Sequence, residues 1–155
     1  DLAILGPLDD KNSFKTVLGS NVQVVDVAMP ELAGAELHTG VDVWTVGYPK
    51  AMELTVTDGL YTGAVESPAP FEASPVYQFT APITGGNSGG GFYIRKDGEF
   101  YLVGVTVAGW RDVSFMNYAT NNDNVWKVLK GFVEAEFKSM TEASPSVPSM
   151  KTDEK

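Results

Sequence analysis

A serine lies in the middle of a loop that is almost free of side chains. Five of the eight residues at 84–91 are glycine, and Ser88 is flanked by Asn87 and Gly89. Glycine accepts positive φ and lets another backbone approach closely, so such a loop turns sharply and directs neighbouring N–H groups into one small space. This pattern is typical of a serine nucleophile with its oxyanion hole.

A glycine-rich loop has two other interpretations. A phosphate-binding loop needs Lys and Ser or Thr directly after its last glycine, followed by a helix, whereas Gly91 is followed by the extended apolar run Phe92-Tyr93-Ile94. Phosphate binding is therefore disfavoured. A plain turn stays open, because Asn and Gly are the commonest turn residues.

Residues 77–91 resemble the nucleophile segment of the trypsin-like serine peptidases, in particular the HtrA/Deg-type branch, in which Gly-Asn-Ser-Gly-Gly follows an Ala-x-Ile stretch. Three further segments follow in that family's order. Residues 1–5 resemble the strand with the triad aspartate, 40–49 the strand that opens the second barrel, and 102–109 the strand beside the primary specificity pocket. The sequence departs from the pattern at Thr80, where relatives commonly have Asp, and at Gly91, where they have Pro.

The resemblance implies roles for individual residues. Ser88 is the expected nucleophile, the backbone N–H groups of Gly86 and Ser88 are the expected oxyanion donors, and Asp1 is expected to orient the catalytic histidine. In this family the order along the chain is His, Asp, Ser, so a match of the aspartate to residue 1 places the histidine upstream. We therefore expect an N-terminally truncated chain whose first barrel is missing.

The resemblance also assigns six residues to substrate binding. Three of them form an edge that pairs with an extended peptide, and three line the specificity pocket: Val107, Ala108 and Gly109, and Pro82, Ile83 and Thr106, respectively. All six are apolar or small, and no acid is placed to receive Lys or Arg. We expect a small or medium apolar side chain before the scissile bond.

The chain has a single histidine, His38, in a loop that leads into the second barrel. Because triads are recognised by geometry rather than by chain order, His38 stays open as an alternative base. An exposed loop histidine is the favoured interpretation.

Composition excludes several classes of protein. The 155 residues carry a net charge of −9 at a pI near 4.4, which argues against nucleic acid or an anionic membrane as partner. No stretch is long and apolar enough to span a bilayer. The absence of cysteine removes disulfides and thiolate ligands, and with one histidine a metal site or other cofactor is not expected. Because many secreted animal trypsins depend on disulfides, the chain resembles the microbial or viral side of that family, which implies a microbial periplasmic or secreted protein or a viral one.

Elements that would position these residues are mostly strands. β-branched and aromatic runs bounded by Gly, Pro, Asp or Asn predict strands at 2–5, 22–27, 41–46, 53–56, 59–65, 76–80, 91–95, 101–107 and 114–118. Asp97-Gly98 predicts a hairpin turn, and apolar spacing after an Asn-rich cluster predicts a helix at about 123–139.

The expected fold is therefore all-β. It is the C-terminal antiparallel barrel of a chymotrypsin-like double barrel, with the last strand of the first barrel at 1–6. An inter-barrel segment at 7–39 precedes the barrel at 40–120, a helix follows at 121–140, and a Ser/Pro/Lys/Glu-rich disordered tail at 141–155 ends the chain.

The sequence is consistent with three classes of function. The first is a serine endopeptidase that acts on peptide or protein substrates through an acyl-enzyme on Ser88 and is inactive without its histidine. The second is a relative that has lost catalysis and binds peptides. The third is a purely structural β-domain, which would require Ser88 to be buried or its loop to be disordered.

Overall fold

The computed structural model describes residues 26–67, 75–110 and 112–142. Within these ranges lie seven strands and two α-helices, with a 3-10 turn at Pro49–Ala51. In chain order they are β1 (Asp26–Val27), α1 (Pro30–Glu36), β2 (Asp42–Gly47), β3 (Thr55–Val65), β4 (Val76–Phe79), β5 (Gly91–Lys96), β6 (Glu99–Trp110), β7 (Val113–Thr120) and α2 (Asn122–Glu142).

Six of the strands form a closed antiparallel barrel. The order around it is β6, β5, β2, β3, β4, β7, and the pairing of β7 with β6 completes the ring. The short β1 adds to β6 in parallel, with Asp26 opposite Tyr101. Closure pairs most of the strand edges that an open sheet would present. The all-β prediction with an antiparallel barrel is confirmed.

The barrel core is formed by every second side chain of the strands, because successive side chains point to opposite faces of a sheet. In β2, Val43 and Thr45 are fully buried while Asp42 is exposed. At the centre, Phe79 of β4 stacks on Phe92 of β5 with ring centroids 4.8 Å apart. Aromatic pairs at this spacing add to the apolar burial that holds the two sides of the barrel together.

Local signals in the sequence set two of the element boundaries. Asp97 and Gly98 both have positive φ, at 51° and 91°, as a tight turn between β5 and β6 requires. The Asn121 side chain accepts a hydrogen bond from the Asn124 N–H at 2.9 Å, which starts α2 one residue before the predicted helix. The helix extends to Glu142, so residues 141–142 belong to it rather than to a tail.

The structure differs from the predicted elements in two further places. The segment 7–39 contains α1, which begins with Pro30 and buries Ala33. A helix of seven residues with one buried side chain carries too weak a period to be recognised. The strands predicted at 53–56 and 59–65 are one strand, β3, whose ladder shifts register near Gly63.

Some of the predicted features lie outside the described residues. These are Asp1, the strand at 2–5, most of the strand at 22–27, and the chain beyond 142. Neither helix within the described ranges combines the length and the apolar character needed to cross a membrane.

Candidate active site

Side-chain hydrogen bonds fix the chain just before the Ser88 loop. The Thr57 hydroxyl donates to the Pro82 carbonyl at 2.9 Å, and the Asn117 amide donates to the Ala81 carbonyl at 2.8 Å. These donors come from β3 and β7, on opposite sides of β4. The loop therefore leaves β4 from a fixed point and crosses the barrel rim to the start of β5.

Asn87 holds the loop in its turn. Its side chain is 2% exposed, its Oδ1 accepts the Thr84 N–H at 3.2 Å, and its own N–H donates to the Thr84 carbonyl at 3.1 Å. A Cβ placed on Gly47, at the end of β2, would lie 2.9 Å from the Asn87 Cα. The end of β2 and the loop backbone therefore pack against each other with no room for a side chain.

Two peptide groups of the loop are oriented by bonds to their carbonyls. The Gly85 carbonyl accepts the Lys50 N–H at 2.6 Å, and the Asn87 carbonyl accepts the Gly90 N–H at 2.9 Å. In a trans peptide the N–H points opposite to the C=O, so the N–H groups of Gly86 and Ser88 point away from these partners. Among the described residues neither N–H has a protein acceptor.

Positive φ at two glycines makes this loop path possible. Gly86 has φ of 104° and Gly89 has φ of 86°, values that L side chains rarely adopt. A Cβ on Gly86 would also lie 2.2 Å from the Tyr48 carbonyl oxygen. The backbone therefore requires glycine at positions 86 and 89 of the loop.

Ser88 is exposed, and its hydroxyl donates to the Val107 carbonyl at 3.1 Å. The β6–β7 ladder shifts register between Thr106 and Ala108, which leaves Val107 as the extra residue of a bulge. On the other side of β6, Thr106 exchanges hydrogen bonds with Gly89 and Gly90. Bulges redirect backbone groups, and this one turns the Val107 carbonyl toward the serine.

Beyond Val107, one edge of β6 is open. The ladder with β5 ends at the pair of Gly91 and Val105, whereas the ladder with β7 continues through Ala108 and Gly109. Within the described part of the chain, Ala108 and Gly109 therefore have a strand partner on one side only, and the bulge residue Val107 is paired on neither side. An open strand edge beside a serine is suited to pairing with an extended peptide.

The six substrate-binding residues predicted from the resemblance occupy different environments. Ile83 is half-buried and lies beside Gly109, where a Cβ would be 3.5 Å from Ile83 Cδ1 and 2.4 Å from Asn117 Oδ1. Thr106 is fully buried, and its hydroxyl has no partner among the described residues. Pro82 is exposed and Ala108 half-buried. The described geometry thus brings Ile83 and Gly109 together with Asn117, which the sequence did not single out.

His38 lies at the other end of β2 from the serine. It is exposed, and the neighbouring Gly40 donates to the Tyr61 carbonyl before β2 begins. The six residues of β2 separate this turn from Gly47, which packs on the Ser88 loop, by about 17 Å of strand. The described residues therefore place no histidine beside Ser88, and Asp1 is outside them.

A cavity of about 410 Å³ opens on the other side of Ser88 from β6. Its side-chain walls are Val46, Tyr48, Leu54 and Tyr93, and its floor is the glycine-rich loop. A Cβ on Gly91 would lie 2.2 Å from the Tyr93 hydroxyl, so this ring occupies the space above the glycine. This cavity was not predicted from the sequence. The sequence feature that indicates it is a glycine two residues before an aromatic residue in a strand, where both residues share a face.

No protein-family model and no curated protein sequence matches the chain, but solved structures do. The HtrA-type protease AlgW with tripeptide superposes with a TM-score of 0.60 at 20% identity, over 75% of this chain and 38% of that one. The Rv3671c protease from M. tuberculosis, active form, superposes with a TM-score of 0.52 at 25% identity, over 67% of this chain and 45% of that one. The serine endoprotease from Yersinia pestis superposes with a TM-score of 0.55 at 21% identity, over 75% of this chain and 38% of that one. The chain spans less than half the length of each of them, and it shares their fold over the aligned part.

Proposed function

We propose that this chain is the nucleophile-bearing barrel of a trypsin-like serine endopeptidase. The observation that carries the proposal is the surroundings of Ser88. An exposed hydroxyl lies on a loop with two oriented, unoccupied N–H groups, beside an open strand edge. Nucleophile, charge stabilisation and substrate docking are three of the functions that peptide hydrolysis requires at one place, and a general base is the fourth. The fold shared with known proteases supports the same conclusion.

The proposed chemistry uses Ser88 Oγ to attack the scissile carbonyl carbon while a general base takes the hydroxyl proton. The carbonyl oxygen becomes an anion and accepts hydrogen bonds from the Gly86 and Ser88 N–H groups. Collapse of this intermediate expels the amine, which takes the proton from the base, and leaves an acyl ester on Ser88. A water molecule then hydrolyses the ester by the same steps.

Substrate would bind as an extended strand on β6. A peptide that runs antiparallel to β6 passes Gly109 first and reaches Val107, beside Ser88, with its carboxyl end. The side chain before the scissile bond would then enter between Gly109 and Ile83. Because Ile83 already lies against Gly109, this space favours a small apolar side chain.

The general base is proposed to be a histidine that these 155 residues do not include. The only histidine of the chain lies at the far end of β2 from Ser88. A segment upstream of residue 1 would supply the base, and Asp1 would orient it, as the resemblance assigns. Without that segment, hydrolysis should fall by a factor on the order of 10⁶.

The test compares residues 1–155 with the natural chain extended upstream to include its first barrel. The extended chain should react with a fluorophosphonate at Ser88 and cleave peptides, and residues 1–155 should do neither above background. Ser88→Ala should abolish both reactions in the extended chain, whereas His38→Ala should leave them unchanged. Loss of labelling in His38→Ala would show that the base has been misassigned.

A peptide-binding domain without catalysis is the second candidate. The open edge at 107–109 does not depend on a histidine, and the Ser88 hydroxyl already has a protein acceptor. An extended chain that binds peptides but resists the fluorophosphonate would favour this function. A purely structural β-domain is disfavoured because Ser88 is exposed on a loop held by hydrogen bonds.

A further inference from the structure

We propose that the cavity between the end of β2 and Tyr93 selects a large apolar residue immediately after the scissile bond, with the Tyr93 hydroxyl donating to the substrate backbone there. This inference rests on the proposed function, because it assigns the cavity to the leaving side of the same substrate.

The position of the cavity follows from the strand order. Around the barrel, β5 lies between β6 and β2, and the Ser88 loop leads into β5. The Val107 carbonyl of β6 contacts Ser88 on one side, and Val46, Gly47 and Tyr48 from the end of β2 line the cavity on the other. A peptide that runs along β6 toward Ser88 cannot continue along that strand, because Gly89 and Gly90 already pair with Thr106. The residue after the bond at Ser88 must therefore leave the strand, and the open space beside Ser88 on the side of β2 is the cavity.

The lining favours an apolar side chain. Among the residues that reach into the cavity with side chains larger than glycine, all except Ser88 are aliphatic or aromatic. Its volume of about 410 Å³ is within the roughly 300–1,000 Å³ typical of pockets that hold small molecules. Leu54 is 58% exposed and Tyr48 is 55% exposed, so both have apolar surface left to cover. An aromatic or large aliphatic residue would cover it.

Tyr93 adds a polar group at one point of this lining. Its ring is half-buried, its hydroxyl lies over Gly91, and no hydrogen bond to the hydroxyl comes from the described residues. A phenol with an ordinary pKa keeps its proton at neutral pH, and burial raises the pKa of Tyr93 further. A neutral phenol beside the leaving side of the bond is placed to donate to a backbone carbonyl of the substrate.

The experiment measures peptide binding to residues 1–155 by calorimetry. Two peptides span the bond, acetyl-Ala-Ala-Val-Phe-Ala-amide and the same sequence with Gly for Phe, and a third ends at Val with a free carboxylate. The Phe peptide should bind about tenfold more tightly than the Gly peptide, because its ring becomes buried. Leu54→Ser should reduce this preference to less than about threefold and leave binding of the shorter peptide unchanged.

Two further variants test the apolar lining and the Tyr93 hydroxyl separately. Val56→Ser is the control for Leu54→Ser. Val56 lies two residues after Leu54 and is also exposed and apolar, but it does not line the cavity, so this variant should leave the affinity for every peptide unchanged. Tyr93→Phe removes only the hydroxyl and should weaken both spanning peptides by about threefold or more while it preserves their ratio. No effect of Tyr93→Phe would overturn the role of the hydroxyl.

The remaining outcomes distinguish this proposal from the function on which it rests. Equal affinity for the Phe and Gly peptides, with the shorter peptide still bound, would overturn the cavity assignment and leave peptide binding on β6 intact. Failure of all three peptides to bind would contradict the proposed substrate site itself. If Leu54→Ser changes the sedimentation of the chain and no peptide affinity, the surface is a contact with another protein domain and the proposal is wrong.

Discussion

At the scale of single residues, the site depends on glycines that differ sharply in what they tolerate. Gly85 and Gly86 are adjacent in sequence, yet a Cβ at Gly85 would meet nothing within 4 Å while one at Gly86 would meet the Tyr48 carbonyl oxygen at 2.2 Å. Gly86 also has φ of 104°. We therefore expect a side chain at Gly86, and not one at Gly85, to change the orientation of the proposed oxyanion donor.

We predict that Gly86→Ala lowers fluorophosphonate labelling of Ser88 in the extended chain by about 10²–10³, the cost of losing one oxyanion donor. The added methyl group would force the Gly85–Gly86 peptide to rotate away from its bond with Lys50. Gly85→Ala is the matched control and should label at close to the native rate. Equal rates for both variants would contradict the assignment of the Gly86 N–H.

Ser88 and its glycines could be recognised from the sequence because their chemistry is local. The hydrogen bond of Asn117 and the bulge at Val107 could not be recognised from the sequence in this way. The Asn117 side chain joins the loop to β7 across 36 residues, and the bulge at Val107 exists only in the register between two strands. Such contacts depend on pairings that no local pattern specifies.

At the scale of elements, the hairpin between β5 and β6 positions both the start of β5 below Ser88 and the open edge of β6. Its turn uses Asp97 and Gly98 with positive φ, which the Asp-Gly pair predicted. The helix α2 was likewise predicted from a local cap and period. The helix α1 and the continuity of β3 were missed, because the first is short and the second is held by its neighbours β2 and β4.

Two glycines outside the site test whether the local sequence determines the β5–β6 turn and the helix α2. A Cβ at Gly98 or at Gly131 would meet nothing within 4 Å, but only Gly98 has positive φ. We predict that Gly98→Ala lowers the free energy of unfolding by about 1 kcal/mol, whereas Gly131→Ala in α2 raises it by about 0.5–1 kcal/mol. Denaturant unfolding of the two variants checks this, and shifts in the same direction would be inconsistent with the turn described here.

At the scale of the whole molecule, the barrel core contains phenols that resist ionisation. Burial, with a smaller contribution from Tyr77 nearby, raises the pKa of Tyr61 from 10.0 to about 12. The Tyr61 and Tyr77 rings meet edge to face at 5.5 Å between β3 and β4. Between these two pKa values the unfolded chain loses the Tyr61 proton while the folded chain keeps it, so the folded state binds more protons.

Stability should therefore fall as the pH rises from about 10 to about 12. We predict a shallower fall in Tyr61→Phe, because that side chain has no proton to lose. Melting temperatures of both chains across this range provide the measurement, with Tyr48→Phe, an exposed phenol, as control. A slope in Tyr61→Phe as steep as the native one would mean that other groups dominate alkaline unfolding.

The hydrogen bond from Ser88 to the Val107 carbonyl has a consequence for the timing of the proposed reaction. In the proposed complex that carbonyl, at the open edge of β6, would also accept the amide N–H of the substrate residue before the scissile bond. The serine hydroxyl and this amide would then be donors to the same oxygen atom. Under the proposed function, arrival of the peptide amide would displace the hydroxyl from the Val107 carbonyl and make it available to the base, so that substrate docking would activate the nucleophile. Molecules that reach the serine without lying along β6 would meet a hydroxyl that still donates to Val107.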